Sequence, residues 1–185
     1  MKKRTRAREL ALQFLYQLDL RGGNLIEEAE ETVHAAESDV ETRKFALELI
    51  HGTNNHRGSI DEGIQAVAQN WNIARMAVID RNVLRLAAFE LLHSTEVPPK
   101  VAINEAIELG KRYSTQNSGA FINGILDKIM NRTKVETGDS SSEAVTPTEA
   151  VQGAEESDAS ETSTPAAPSK WGTSGTPSVS DKSDS

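Results

Sequence analysis

The amino-acid sequence predicts an all-α fold, a compact bundle of six or seven helices followed by a disordered acidic tail. Three observations predict it. Apolar residues recur at helical spacing before residue 134, and no segment there alternates apolar and polar residues over the length of a strand. From about residue 135 onwards, large apolar residues almost disappear. We therefore divide the chain into a helical domain, residues 1–134, and a tail, residues 135–185.

The first predicted helix covers residues 4–20. Apolar side chains recur in it at helical spacing, and two glycines, Gly22 and Gly23, follow where a helix would end. The apolar positions are Leu10, Ala11, Phe14, Leu15 and Leu18. The stretch over residues 23–38 is acidic and weakly patterned, which predicts a linker or a poorly anchored helix.

Two further helices are predicted before residue 70. Asp39 is placed to cap the first of them, which we expect to end near residues 52–55. The second covers residues 57–69, and its apolar positions are Ile60, Ile64 and Val67.

The last three predicted helices lie on either side of a proline boundary. One covers residues 73–93, with a break expected near Met76. Pro98 and Pro99 then enforce a boundary, because a residue before proline disfavours the helical conformation and a proline suits the first turn of a new helix. Helices over residues 99–113 and 118–132 follow.

Charge is divided unevenly along the chain. The 185 residues carry a formal net charge of -8, but residues 1–134 hold 18 cationic and 18 acidic side chains and are neutral overall. Residues 135–185 hold 2 cationic and 10 acidic side chains, and they have too few large apolar groups to offset their ordering entropy. The acidity therefore belongs to the tail and does not exclude a nucleic-acid partner for the helical domain.

Residue patterns that many enzymes and metal sites require are missing. The chain has no cysteine, which excludes disulfides, thiolate metal sites and a cysteine nucleophile. Its 4 histidines are scattered, and the glycine patterns of nucleotide-binding loops are absent. We expect no metal, no cofactor and no enzymatic activity. No apolar run is long enough to span a membrane and no secretion signal is evident, so we expect a cytoplasmic protein without a membrane partner.

The start of the first helix concentrates positive charge. Five cationic side chains precede the first acidic residue: Lys2, Lys3, Arg4, Arg6 and Arg8. At about 100° per residue, Gln13 and Gln17 lie opposite the apolar arc with Arg6, and Tyr16 lies to one side. Cations suit phosphates, planar groups suit stacking and amides suit base edges, so this face is suited to single-stranded RNA. The alternative is that the cations are simply solvated.

Three stretches of the sequence carry a family resemblance. They are RTRARELALQFLYQ at residues 4–17, VIDRNVLRLAAFELL with VPPKVAINEAIELGKRY at residues 78–113, and FINGILDKI at residues 121–129. In this order and spacing they closely resemble the NusB family of bacterial transcription antitermination factors. The combination of INEAIEL with FINGILD is the specific part, and the resemblance covers residues 1–134.

The resemblance implies a fold and a function. NusB-like domains consist of two helical subdomains and are not enzymes. They pair with NusE, which is also a small-subunit ribosomal protein, and the pair binds the boxA element of nascent RNA. The implied partners are therefore boxA single-stranded RNA, NusE and the wider transcription elongation complex, notably on ribosomal RNA operons.

Two sets of candidate contact residues follow. The expected RNA-binding residues are Lys2, Lys3, Arg4, Arg6, Arg8, Gln13, Tyr16, Asn117, Ser118 and Phe121, of which the last three match family positions near bound RNA. The expected partner-binding residues are Tyr16 and Asp80, and the latter matches an acidic position that faces NusE in the family. Relatives often carry an acid where this chain has Asn117, and its absence removes a repulsion against phosphate.

Some of these positions have two interpretations. Tyr16 is either a core-edge residue or an exposed contact, and Phe121 is either core or an RNA contact. Gly124 is a weak helix former within a good helix, for which we favour close helix packing over RNA access, and the role of Asn123 stays open. The alternative for the whole domain is a protein-interaction module or homodimer without RNA. The tail either competes with RNA for the cationic face or keeps the protein soluble.

Overall fold

The computed structural model describes residues 3–69 and 71–136. Within that part of the chain there are seven α-helices and no strands. They are α1 (Lys3–Arg21), α2 (Ala29–Ala36), α3 (Val40–Asn55), α4 (Arg57–Val67), α5 (Val78–His93), α6 (Pro99–Tyr113) and α7 (Ser118–Glu136). Short 3-10 helices span Gly23–Glu28 and Ile73–Arg75. The predicted all-α bundle is confirmed.

The helices pack as two groups that share α5. Helix α1 packs mainly on α3, and α2 lies beside them, whereas α6 packs mainly on α7 with α4 nearby. Helix α5 contacts both groups, and most of its residues from Asp80 to Glu90 are buried. The bundle of two helical subdomains expected from the family resemblance is therefore present, with α5 as the shared central element.

Most helix ends follow the local sequence signals. The Asp39 carboxylate accepts a hydrogen bond from the backbone N–H of Thr42 at 2.9 Å, which makes it the predicted cap of α3. Pro99 occupies the first turn of α6, and α5 begins after an extended residue at Met76. These three boundaries were predicted because each depends on residues adjacent in sequence.

The segment over residues 23–38 differs from its prediction. Instead of a linker or a poorly anchored helix, it forms a 3-10 helix followed by α2. Leu25, Ala29 and Val33 are buried in the core, so the segment is anchored despite its weak pattern. Burial of a few apolar side chains outweighs the low local preference, as tertiary packing often does.

The packing prediction for Gly124 was wrong. This glycine is exposed, and a Cβ atom placed there would have no neighbour within 4 Å. Close packing occurs instead at Gly110, where a Cβ would lie 2.3 Å from Ile122 Cδ1, and at Gly52, which faces the ring of Phe89.

The predicted tail lies almost wholly outside the described residues. Only its first two positions are described, as the end of α7. The domain boundary at residue 134 and the disorder of the tail therefore stay predictions. In the part of the chain that the structure describes, no helix is both long enough and apolar enough to span a membrane.

Candidate nucleic-acid interface

Helix α1 presents one buried face and one polar face. Its apolar side is in the core, with Ala7, Leu10 and Phe14 all nearly inaccessible to solvent. Gln13 and Tyr16 are exposed on the other side, as the helical arcs predicted. The exposed position of Tyr16, with 37% of its surface accessible, favours the contact interpretation over the core-edge one.

Three described cations at the start of α1 form what we call the N-terminal strip: Lys3, Arg4 and Arg6. Each is paired with a carboxylate from another part of the chain. Lys3 Nζ lies 2.7 Å from Asp39 Oδ1, Arg4 Nη2 lies 3.0 Å from Glu96 Oε2, and Arg6 Nε lies 3.4 Å from Glu37 Oε2. Lys2, also predicted to bind RNA, lies outside the described residues.

The Lys3 and Arg4 pairs of the N-terminal strip are exposed, whereas Arg6 is paired with less accessible carboxylates, Glu37 and, at 3.7 Å, the buried Glu9. The side chains of Lys3 and Asp39 are 62% and 36% accessible. The Lys3 hydrogen bond, with help from the backbone N–H and hydroxyl of Thr42, lowers the pKa of Asp39 to about 2. The hydrogen bond to Asp39 in turn raises the pKa of Lys3. Lys3 therefore stays charged at neutral pH and remains accessible to another anion.

Arg4 also lies beside an open cavity. Its guanidinium carbon is 5.0 Å from the ring centroid of Phe45, a distance typical of a cation–π contact. Lys3, Arg4 and Lys44 line the cavity here, whose volume is about 460 Å³, together with Glu41, Glu48 and Glu96. Cations and carboxylates thus both line this depression.

The prediction that Arg8 lies on the RNA-binding face does not fit the structure. Its side chain is only 3% accessible and makes a two-pronged ion pair with the buried carboxylate of Glu90, at 2.7–3.1 Å. Arg8 Nη1 also lies 3.5 Å from Glu105. Arg8 follows the polar residues in sequence but turns into the core, because its carboxylate partners are on α5 and α6. It joins three helices instead of facing solvent.

Ser118 and Asp80 are also not surface contacts. The Ser118 hydroxyl is buried and donates to Asp80 Oδ2 at 3.1 Å, and the backbone N–H of Thr115 donates to Ser118 Oγ at 3.1 Å. Asp80 itself is 9% exposed, so it does not present an acidic group to a partner as predicted. These residues join the starts of α5 and α7, and a direct contact for either needs a rearrangement.

The other two candidates near the start of α7 remain accessible. Asn117 is exposed, and Phe121 is half-buried. The Phe121 ring meets the ring of Trp71 edge to face, with 5.4 Å between the centroids. Phe121 is thus neither a simple core residue nor an isolated surface ring. Its environment is intermediate between the two interpretations that the sequence allowed, a core residue and an RNA contact.

A shallow apolar depression adjoins the polar face of α1. It has a volume of about 290 Å³ and is lined by Leu12, Gln13, Tyr16, Gln17, Ile79 and Tyr113. Contributions come from α1, α5 and α6, so the depression exists only in the folded bundle. Its apolar rings and aliphatic groups are suited to a protein side chain.

The residues above are supported by an internal ion network centred on Asp19. The Asp19 carboxylate, whose side chain is 4% accessible, lies 2.6 Å from both Arg57 and Arg81 and 3.0 Å from Arg85. Burial alone raises the pKa of Asp19, but the hydrogen bond from Arg81, the charge of Arg85 and the hydrogen bond from Asn82 outweigh it and lower the pKa. The network fixes α1 against α4 and α5. No group of three potential metal ligands occurs among the described residues.

Comparison with known proteins agrees with this architecture. The model of the NusB family matches residues 5–131. The chain belongs to the NusB family. Transcription antitermination protein NusB from Anaeromyxobacter dehalogenans is 52% identical over 128 residues, which are 69% of this chain and 89% of the relative. The protein of the same name from Myxococcus xanthus is 46% identical over 133 residues, with 70% of this chain and 95% of the relative covered.

Solved NusB structures share the fold. The structure of NusB from T. maritima has a TM-score of 0.64 and 38% identity, and the match covers 72% of this chain and 96% of that chain. A crystal structure of the antitermination factors NusB and NusE in complex with dsRNA has a TM-score of 0.64 and 30% identity, covering 71% of this chain and 98% of that chain. The described helices are thus those of a NusB domain.

Proposed function

We propose that this chain is a transcription antitermination factor that binds boxA-type single-stranded RNA together with NusE, in support of ribosomal RNA operon transcription. Membership of the NusB family supports this function, as does the solved complex of a related NusB with NusE and RNA. The observation that carries it in this molecule is the N-terminal strip, an exposed set of cations on a helix whose other face is in the core.

The ion pairs of the strip are compatible with RNA binding because they are weak. An exposed pair contributes about 0–1 kcal/mol, since solvent screens the attraction and ordering two long side chains costs entropy. Lys3 and Arg4 can therefore exchange their carboxylates for RNA phosphates at little cost. Arg6 is less free to do so, because its partners Glu37 and Glu9 are only 18% and 3% accessible. Gln13 and Tyr16, further along the same helix, offer an amide for base edges and a ring for stacking.

We assign the partner surface to the apolar depression beside Tyr16. Tyr16 lines the depression together with Ile79 and Tyr113 and is exposed on the polar face of α1. A protein partner seated there would be adjacent to RNA on α1, and one composite surface could bind the RNA more tightly than either protein alone. Asp80, buried behind Ser118, then serves to hold α5 and α7 in place and does not touch the partner.

The function requires no reaction. The described residues include no group of potential metal ligands, and the paired carboxylates and guanidiniums already described are held in structural or exposed ion pairs. We propose a non-enzymatic protein that acts in the cytoplasm, where nascent transcripts and ribosomal proteins meet.

Titration of the full chain with boxA RNA tests the proposal. The affinity is measured with and without NusE, with single-stranded and double-stranded RNA of the same sequence. We expect NusE to strengthen binding to the single strand. No binding to either RNA, alone or with NusE, would overturn the proposal.

The apolar depression supports one alternative, a protein-interaction or homodimerising module that does not bind RNA. Its lining is largely apolar and solvent-accessible, as in a site for a second protein surface. Light scattering of the free chain, and again with NusE, separates the two. Stable homodimers that persist with NusE and exclude RNA would favour the alternative, whereas a one-to-one complex that binds RNA would favour antitermination.

A further inference from the structure

Unpaired cations in this domain lie away from the N-terminal strip. In the described part of the chain, five cationic side chains have no hydrogen-bond or ion-pair partner: Arg21, Lys44, Arg75, Lys100 and Lys128. Two of them, Arg75 and Lys128, flank the same pair of aromatic rings. Free cations beside an accessible ring are the combination that single-stranded nucleic acids bind.

The aromatic pair consists of Trp71 and Phe121. Trp71 is 57% accessible, although a tryptophan in a folded domain usually buries most of its surface. Arg75 lines a cavity of about 300 Å³ with both rings, and Lys128 lines a neighbouring cavity of about 310 Å³ with the same two rings. The only carboxylate among the described lining residues is Asp80, which is buried and bonded to Ser118.

Hydrogen bonds hold the backbone from Trp71 to Ala74 in place. The Gln65 side-chain amide donates to the Trp71 carbonyl at 2.9 Å, and its oxygen accepts from the Ile73 backbone N–H at 3.0 Å. The Asn72 side chain accepts from the Ala74 backbone N–H at 2.9 Å. A side chain on a backbone that is already ordered loses less conformational entropy when a ligand stacks on it.

We propose that Trp71 and Phe121 form a stacking platform for a base of single-stranded RNA, with Arg75 and Lys128 as contacts for the adjacent phosphates. This inference rests on the proposed RNA-binding function and extends it to three residues, Trp71, Arg75 and Lys128, that sequence patterns did not indicate. Exposed Asn117 lines the cavity that Arg75 forms with the two rings, and it offers an amide to the base edge.

The platform extends the RNA surface to a second part of the domain. The N-terminal strip is on α1. In the platform, Phe121 and Lys128 are on α7, Arg75 ends the 3-10 helix before α5, and Trp71 lies just before that 3-10 helix. The two sites contribute to RNA affinity in different ways. The N-terminal strip supplies cations that must leave their carboxylates before they bind phosphates. The platform supplies a ring and cations that have no partner to leave. A strand that reaches both gains affinity from stacking as well as from charge.

Tryptophan fluorescence tests the platform without disturbing it. The chain has two tryptophans, Trp71 and Trp171, so in the variant Trp171→Phe the emission reports on Trp71 alone. Titration of this full-length variant with boxA single-stranded RNA in the presence of NusE should quench the emission along the binding curve. Unchanged emission while an independent signal, such as anisotropy of labelled RNA, shows saturation would overturn the platform and leave the proposed function intact.

Substitutions provide the second arm of the test. Trp71→Ala should weaken RNA binding by about fivefold to a hundredfold, the range that loss of one stacked base produces. Trp71→Phe keeps a ring and should recover most of the affinity. Leu92→Ala is the matched control, because Leu92 is also partly exposed, at 38%, but lies at the far end of α5. Equal affinity of Trp71→Ala and wild type would contradict the platform.

Charge variants separate phosphate contacts from general electrostatics. Arg75→Gln with Lys128→Gln should make the slope of log affinity against log salt shallower by about 1.4, since each single-strand phosphate contact contributes about 0.7. Arg21→Gln removes an exposed and unpaired cation that lines neither cavity. It should change the slope of log affinity against log salt by less. If Trp71→Ala weakens NusE binding without RNA, the platform is a protein contact and the inference is wrong. If wild type binds no RNA at all, the proposed function and the platform fail together.

Discussion

Arg4 and Arg8 lie one turn apart on α1 and have different roles. Arg4 is paired with Glu96 in solvent, with half of its side chain accessible, whereas Arg8 is paired with Glu90 in the core and is almost inaccessible. The residue type and the helix are the same, but the surroundings differ. A buried cation cannot exchange its partner without leaving a charge in an apolar interior, whereas an exposed one can. Burial therefore separates structural cations from those that can bind RNA.

Substitution of Arg8, the buried arginine of this pair, should have the largest effect on stability. Arg8→Ala leaves the Glu90 carboxylate unpaired in the core, and we expect the free energy of unfolding to fall by about 3–5 kcal/mol. Chemical denaturation measures it. The double variant Arg8→Met with Glu90→Leu removes both charges and should recover most of the loss. A loss below about 1 kcal/mol for Arg8→Ala would mean that this pair behaves like an exposed one.

Two glycines extend the same distinction to packing. Gly110→Ala places a Cβ 2.3 Å from Ile122 Cδ1, so we expect it to lower the free energy of unfolding by about 1–3 kcal/mol. Gly124→Ala meets nothing within 4 Å in an exposed part of α7 and should raise it by about 0.5–1 kcal/mol. Thermal denaturation of both variants compares them. The same sign for both substitutions would show that burial does not decide the outcome here.

The exposed pair Lys3–Asp39 should contribute only weakly to stability, and this contribution should be lost in acid. Because the folded pKa of Asp39, about 2, is below the ordinary value of 3.8, its stabilisation is complete above pH 3.8 and is lost as the pH falls towards 2. Asp39→Asn keeps a capping side chain but should flatten the pH dependence of stability between pH 4 and 2. Glu30→Gln, at an exposed glutamate in the first turn of α2, serves as the control.

Salt provides a check on that result. Screening weakens an exposed ion pair. The difference between Asp39→Asn and wild type in the pH dependence of stability should therefore shrink at about 1 M salt, where the Debye length is about 3 Å. Acid denaturation curves at low and high salt measure it. A difference that does not change with salt would point to the helix cap and not to the Lys3 pair.

The sequence predicted local features well and long-range pairings poorly. The Asp39 cap, the start of α6 at Pro99 and the polar face of α1 all depend on residues close together in the chain, and all three are present. Arg8 was misplaced because its partner Glu90 is 82 positions away, and helical angles alone cannot show which cation will find a buried carboxylate.

The candidate site shows the same division. Ser118 and Asp80 are 38 positions apart, and only the fold shows that they are buried and hydrogen-bonded to each other. Trp71 was not a candidate, since an aromatic residue after a helical stripe is usually core. Its exposure depends on Gln65, which fixes the backbone on both sides of Asn72. Motif resemblance located the region of the site, but burial decided which residues in it are accessible.

The salt dependence of RNA binding tests the central claim most directly. The affinity of the full chain with NusE for boxA single-stranded RNA is measured over a series of salt concentrations, for wild type and for the variant Lys3→Gln, Arg4→Gln. If these two exposed cations exchange carboxylates for phosphates, the slope of log affinity against log salt should be shallower by about 1.4 in the variant, with stability nearly unchanged. An identical slope in a folded variant would contradict the account.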